Sequence, residues 1–117
     1  MSIVFLNTSL KSKNENHTFK GKAINKKNTF TYNDDVTITK VTLDDVIVVE
    51  RKNIKLFFKE GKKIEGIYNT PFGHIKLETY TKEIKKEKNK IIIKYNLLLD
   101  NQHIDTFTYI FEYSIDS

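Results

Sequence analysis

The chain has no cysteine, one proline and one arginine in 117 residues. Without cysteine there is no disulfide scaffold, no zinc knuckle and no thiol nucleophile. No apolar run approaches the ~20 residues that a membrane-spanning helix needs. The opening Met1 to Lys11 lacks a basic stretch and has only four consecutive apolar residues after Ser2, so it does not read as a secretory leader. Leu and Ala, the apolar helix formers, number only nine together. These absences predict a soluble, cytoplasmic chain folded as one domain over 1–117, long enough to bury about two-thirds of its surface.

What is present is β-branched. Ile, Val and Thr make up 33 residues, and Tyr and Phe add 14 more. Such side chains fit a pleated surface and crowd a helix. An AT-rich coding sequence would also favour Ile, Lys and Asn, but it would not create alternation, so pattern has to decide. The pattern has period two. Ile91, Ile93, Tyr95, Leu97 and Leu99 alternate with Ile92, Lys94, Asn96 and Leu98. Phe107, Tyr109, Phe111, Tyr113 and Ile115 alternate with Thr106, Thr108, Ile110, Glu112 and Ser114. Shorter runs do the same at Phe19-Gly21-Ala23, Ile54-Leu56-Phe58 and Ile75-Leu77-Thr79-Thr81. No stretch carries a 3.6-residue stripe.

Asn, Asp and Gly punctuate the runs at Asn14-Glu15-Asn16, Lys26-Lys27-Asn28, Asn33-Asp34-Asp35, Asp44-Asp45, Lys52-Asn53, Glu60-Gly61-Lys62 and Asp100-Asn101. These residues tolerate left-handed backbone and bond their own main chain. The spacing predicts strands near 3–10, 17–24, 28–32, 35–43, 46–52, 54–60, 63–70, 73–82, 90–99 and 104–115. The charged segment Lys82 to Lys90 reads as the solvated tip of a long hairpin with room for one helical turn. Short connections at about ten-residue intervals favour an up-and-down meander. Closing it removes two exposed edges. The predicted fold class is all-β, a single antiparallel up-and-down barrel of about eight to ten strands.

The stretch from Val46 to Ile115 resembles the YwiB-like family of small bacterial β-barrels related to the calycins, the lipocalin and fatty-acid-binding superfamily. The residues that carry the resemblance are Val46-Ile47-Val48-Val49-Glu50-Arg51, Ile54-Lys55-Leu56, Glu60-Gly61, Tyr68-Asn69-Thr70-Pro71-Phe72-Gly73, Leu77 with Thr81, and Ile91-Ile92-Ile93-Lys94-Tyr95-Asn96-Leu97. The N-terminal strands fit in length and pattern only. The resemblance implies a calycin-like barrel, a family without an established biochemical role, and no catalytic residues to carry over.

Arg51 lies in phase with Ile47 and Val49 at the end of an apolar strand. Pointing inward, its planar, permanently charged guanidinium could hold an acidic ligand head. Pointing to the rim, it would pair with an acid such as Glu50 or Glu65. Tyr68, Thr70 and His74 flank Pro71, which cannot donate to a sheet ladder and marks an edge or bend. That bend either aims Tyr68 and His74 at a cavity mouth or turns a corner in the barrel wall. Tyr95 and Tyr109 complete the candidate ligand-binding residues. His17, His74 and His103 lack metal-ligand spacing, so no metal and no other cofactor is expected. Asp34-Asp35 and Asp44-Asp45 read as turn residues rather than acid–base pairs. No nucleophile elbow or phosphate loop is present, so an enzyme is not expected.

The aromatic column Phe107, Tyr109, Phe111 and Tyr113 either fills a barrel or, if exposed beside lysines, stacks on bases. The formal charge of +5 and pI near 9.3 admit a nucleic-acid partner. Yet the lysines are spread along the chain with acids between them, which disfavours it. The leading expectation is non-enzymatic binding of a small apolar or acidic ligand inside the barrel. The alternatives are a basic nucleic-acid-binding barrel and a solid-cored, self-associating structural protein. Apolar residues on both faces of some strands, as at Val46 to Val49, leave room for a homodimer. No membrane partner is expected.

Overall fold

The computed structural model describes residues 1–34, 37–71 and 75–115. Among them are eleven strands and no helix. They are β1 (Ser2–Lys11), β2 (Asn16–Lys26), β3 (Thr29–Asn33), β4 (Ile38–Thr42), β5 (Ile47–Arg51), β6 (Ile54–Phe58), β7 (Lys63–Glu65), β8 (Ile67–Tyr68), β9 (Leu77–Glu87), β10 (Lys90–Leu99) and β11 (Gln102–Ile115). Every pairing is antiparallel. The order β7-β9-β10-β11-β1-β2-β3-β4-β5-β6-β8 is a meander in which the first and last long strands pair, Val4 opposite Ile115 through Lys11 opposite Thr108.

The turns are where Asn and Asp place them. Lys27, Asn89, Asp100 and Asn101 all have positive φ. At Asp100-Asn101 both central residues do, the conformation whose twist matches that of flanking strands. The charged Lys82 to Lys90 segment is strand as far as Glu87, without a helical turn, and its tip is Lys88-Asn89. The reason lies in its partner: β9 follows β10 over the whole length of that strand, and Ile84 packs on the core. A bulge beside Lys82 keeps Thr81 and Ile84 on the inner side.

The expected strand 63–70 is instead two short pieces, which raises the count to eleven. Lys63 to Glu65 pairs with β9, and Ile67-Tyr68 pairs with β6. This segment crosses from one edge of the sheet to the other and makes the barrel nearly closed. Gly66 is the pivot. Its N–H donates to the Leu77 carbonyl at 2.8 Å, and a Cβ there would sit 2.6 Å from the Lys55 carbonyl oxygen. Beside it, the Thr79 hydroxyl donates to the Phe57 carbonyl at 2.6 Å, tying β9 directly to β6.

The inward faces are those with the apolar alternation. Val4, Leu6, Ala23, Phe30, Val41, Ile47, Ile91, Ile93 and Phe111 are buried and fill one end of the barrel. Phe30 lies edge-on to Phe111 at 5.1 Å between centroids and tilts against Tyr113 at 4.8 Å. Such pairs add about 0.5–1.5 kcal/mol each beyond area burial.

Replacing Gly66 by Ala forces its methyl into the β6 backbone. The variant should lose about 1–3 kcal/mol of unfolding free energy in a urea titration, the usual cost of overpacking. Unchanged stability would mean that the crossing does not hold the seam.

Candidate binding cavity

Register sets depth inside this barrel. Phe30, Val41 and Ile47 stand toward the filled end, whereas Tyr32, Thr39 and Arg51 lie further along the same strands toward the other. At that second end the side chains do not meet across the lumen. They leave a cavity of about 460 Å³. Its walls are mostly apolar: Leu10, Phe19, Val49, Ile54, Leu56, Leu97, Phe58 and Phe107, with the rings of Tyr32, Tyr95 and Tyr109. The volume falls in the range of small-molecule sites, roughly 300–1,000 Å³.

The wall is incomplete on one side. β2 pairs with β3 only from Ile24 to Lys26, so β2 from His17 to Ala23 has no strand partner on its β3 side among the described residues. Phe19 stacks on Tyr32 across this gap at 4.7 Å. Thr18 and Phe19 both line the cavity although they point to opposite faces of β2, so the space reaches through the wall here.

Arg51 lines the cavity mouth, and its Nη2 donates to Asp34 Oδ2 at 2.8 Å. Both sequence readings of this residue meet in that geometry: it is on the inward face, and it is paired, though with Asp34 rather than Glu50 or Glu65. Asp34 Oδ1 accepts from the Thr37 N–H at 3.1 Å, which orients the carboxylate. Asp34 is in phase with Phe30 and Tyr32, a period-two signal that would have placed it on the inner face. Of the other candidates, Tyr95 and Tyr109 line the cavity. Tyr68 stands opposite Ile54 but is exposed and outside the lining, and Thr70, half-buried, is outside it too. His74 lies outside the described residues, and so do Phe72, Gly73 and Asp35. Among the described residues no cluster of His, Asp and Glu could hold a metal ion.

The Tyr95 ring is buried between Phe58, at 4.6 Å, and Phe107, at 5.4 Å. Burial pushes its phenol well above the ordinary value, and the Glu15 carboxylate adds to the shift. Tyr109 is raised in the same way by burial and then by the neighbouring Tyr32 phenol, with Arg51 opposing. The Thr39 hydroxyl is sealed from solvent and has no hydrogen-bond partner among the described residues. A buried unsatisfied group costs about 1–3 kcal/mol. At the rim, Asp105 accepts from the Thr106 N–H at 2.8 Å and from the Asn14 side chain at 3.4 Å. Hydrogen bonding from Ser12 and these groups holds its carboxyl below the usual range. That bonding ties the turn between β1 and β2 to β11 beside the opening.

A family model described as a domain of unknown function, DUF1934, matches residues 6–110. The chain belongs to the DUF1934 family. The matched span runs from the first strand into the last, so the whole meander of this DUF1934 barrel is the family's unit. The structure is similar to the crystal structure of the YwiB protein from Bacillus subtilis, with a TM-score of 0.55 and 18% identity over 96% of this chain and 90% of that one. At that identity the likeness concerns the fold, and it agrees with the YwiB-like barrel that the sequence resembles. No curated protein matches. No helix is long and apolar enough to cross a membrane among the described residues.

The two buried phenols fix an alkaline dependence. Their folded pKa values lie above the ordinary 10.0, so their contribution to stability is complete below pH 10.0 and drains away as pH rises past it. Urea titrations should show stability falling steeply above pH 10.0, and the Tyr95→Phe/Tyr109→Phe double variant should flatten that fall. An identical alkaline profile in the variant would contradict the burial of these phenols.

Proposed function

We propose that this DUF1934 protein binds a small, largely apolar ligand in the open end of its barrel, without chemical turnover. The observation that carries the reading is the cavity of about 460 Å³, walled by aliphatic and aromatic side chains at one end of an otherwise filled barrel. A core selected only for stability would fill such a space, because an unfilled apolar lining forfeits dispersion contacts. The Thr39 hydroxyl in the wall, unpartnered among the described residues, adds a second cost that stability alone does not explain. The polar groups at the mouth form an ion pair rather than a nucleophile with its base, which favours binding over catalysis.

The nucleic-acid alternative loses its stacking platform, because Phe107, Tyr109 and Phe111 are buried inside the barrel. A solid-cored structural protein would not keep the space.

An uncharged naphthylamine dye, dim in water and bright in apolar sites, should bind the purified protein with a fluorescence increase. Leu56→Trp, which fills the cavity from β6, should weaken the dye at least about tenfold while leaving the circular dichroism of the barrel unchanged. Ile3→Trp, on the exposed outer face of β1, should have no effect. The reading fails if the dye does not brighten, or if Leu56→Trp binds it as well as the parent does.

A further inference from the structure

We infer that the cavity is built for an uncharged ligand and that Asp34 is the residue that sets this selectivity; the inference rests on the reading of the barrel as a ligand-binding protein. A single arginine at the mouth of an apolar cavity would by itself invite a carboxylate, since a bidentate guanidinium–carboxylate pair is among the strongest charge-assisted contacts. Here that invitation is already answered from within. Asp34 Oδ2 sits 2.8 Å from Arg51 Nη2, and its other oxygen is held by the Thr37 N–H at 3.1 Å. Asp34 is the more shielded partner, its side chain 19% exposed against 41% for Arg51 at the mouth. Among the described residues that line the cavity, Arg51 and Asp34 are the only ones charged at neutral pH apart from the titratable His17, and their formal charges cancel.

An incoming carboxylate therefore leaves water for an apolar space that offers no net positive charge. The desolvation of an ion into such a space is expensive unless a counter-charge is free to receive it. To reach Arg51 the ligand must also expel Asp34, and the expelled carboxylate remains nearby as a like charge. An alcohol, ester, ketone or hydrocarbon meets none of these costs. Asp34 acts as a built-in stand-in for the acid that Arg51 would otherwise bind.

Any apolar pocket prefers an alcohol to an ionised acid, so the deciding readout is how Asp34 changes that preference. Decanol and decanoate are titrated at neutral pH as competitors of the bound naphthylamine dye. Asp34→Asn keeps an oxygen to accept from Thr37 but frees the charge of Arg51. It should strengthen decanoate at least about tenfold relative to decanol, because a freed guanidinium acts on a charge at short range. Arg51→Gln, which removes the guanidinium and keeps the Asp34 carboxylate, should weaken decanoate further relative to decanol. Thermal melts of both variants exclude simple unfolding.

The inference is overturned if Asp34→Asn moves the two competitors equally, or if decanoate already displaces the dye as well as decanol does from the parent protein. A protein that never takes up the dye, or releases it to neither competitor, overturns the binding reading itself, so the two failures are distinguishable.

Discussion

A meander has two free edges, and everything inside this barrel depends on their meeting. The edge strands β6 and β9 come together through a segment of six residues, Lys63 to Tyr68, which pairs first with one and then with the other. A full Cβ at its midpoint would strike the β6 backbone, so glycine is the residue that allows the crossing. Closure lets the inward side chains of all the long strands converge on one axis, and it leaves fewer unpaired backbone groups to recruit another chain. Opposite this seam, β1 and β11 join over eight register positions from Val4 to Lys11, a far longer contact. The barrel is thus firmly closed on one side and narrowly closed on the other.

Once closed, the tube is filled unevenly, and the side chains say why. Toward the Val4 end, branched aliphatics and the Phe30–Phe111 contact meet across the axis and leave a packed core. Toward the Leu10 end, the large rings Tyr95, Phe107 and Tyr109 stand on adjacent strands β10 and β11. They stack along one wall and do not span the lumen. On β4 to β6, Phe58 meets the Tyr95 ring at 4.6 Å, whereas Thr39, Val49 and Leu56 are smaller side chains. The cavity lies against these smaller side chains. Among the described residues, the ion pair of the lining stands at the mouth, and the Thr39 hydroxyl in the wall has no partner.

Much of this could be read from the sequence. Alternation in Ile91 to Leu97 and Phe107 to Tyr113 identified the faces that turn out to be buried, and Asn and Asp marked the turns, because both signals are local. The segment 63–70 read as one strand because its division depends on two partners far away in the chain. The segment 82–90 read as a tip because its charges hide the inward Ile84 and the pairing with β10. Arg51 stood out by its rarity and its phase, whereas its partner Asp34 read as an ordinary turn residue. Only the pairing of β3, β4 and β5 brings the two together. Tyr68 and Thr70 stand out in the sequence only by nearness to Pro71, which is a statement about the backbone and carries no information about the lumen.

The most direct test of a barrel that is packed at one end and open at the other is methyl-detected NMR with an apolar ligand added in steps. The account predicts that the signals of Val49, Leu56 and Leu97 shift while those of Val4, Ile47 and Ile93 stay in place. Shifts confined to the outward methyls of Ile3 and Ile24, or spread evenly over both ends of the barrel, would contradict it.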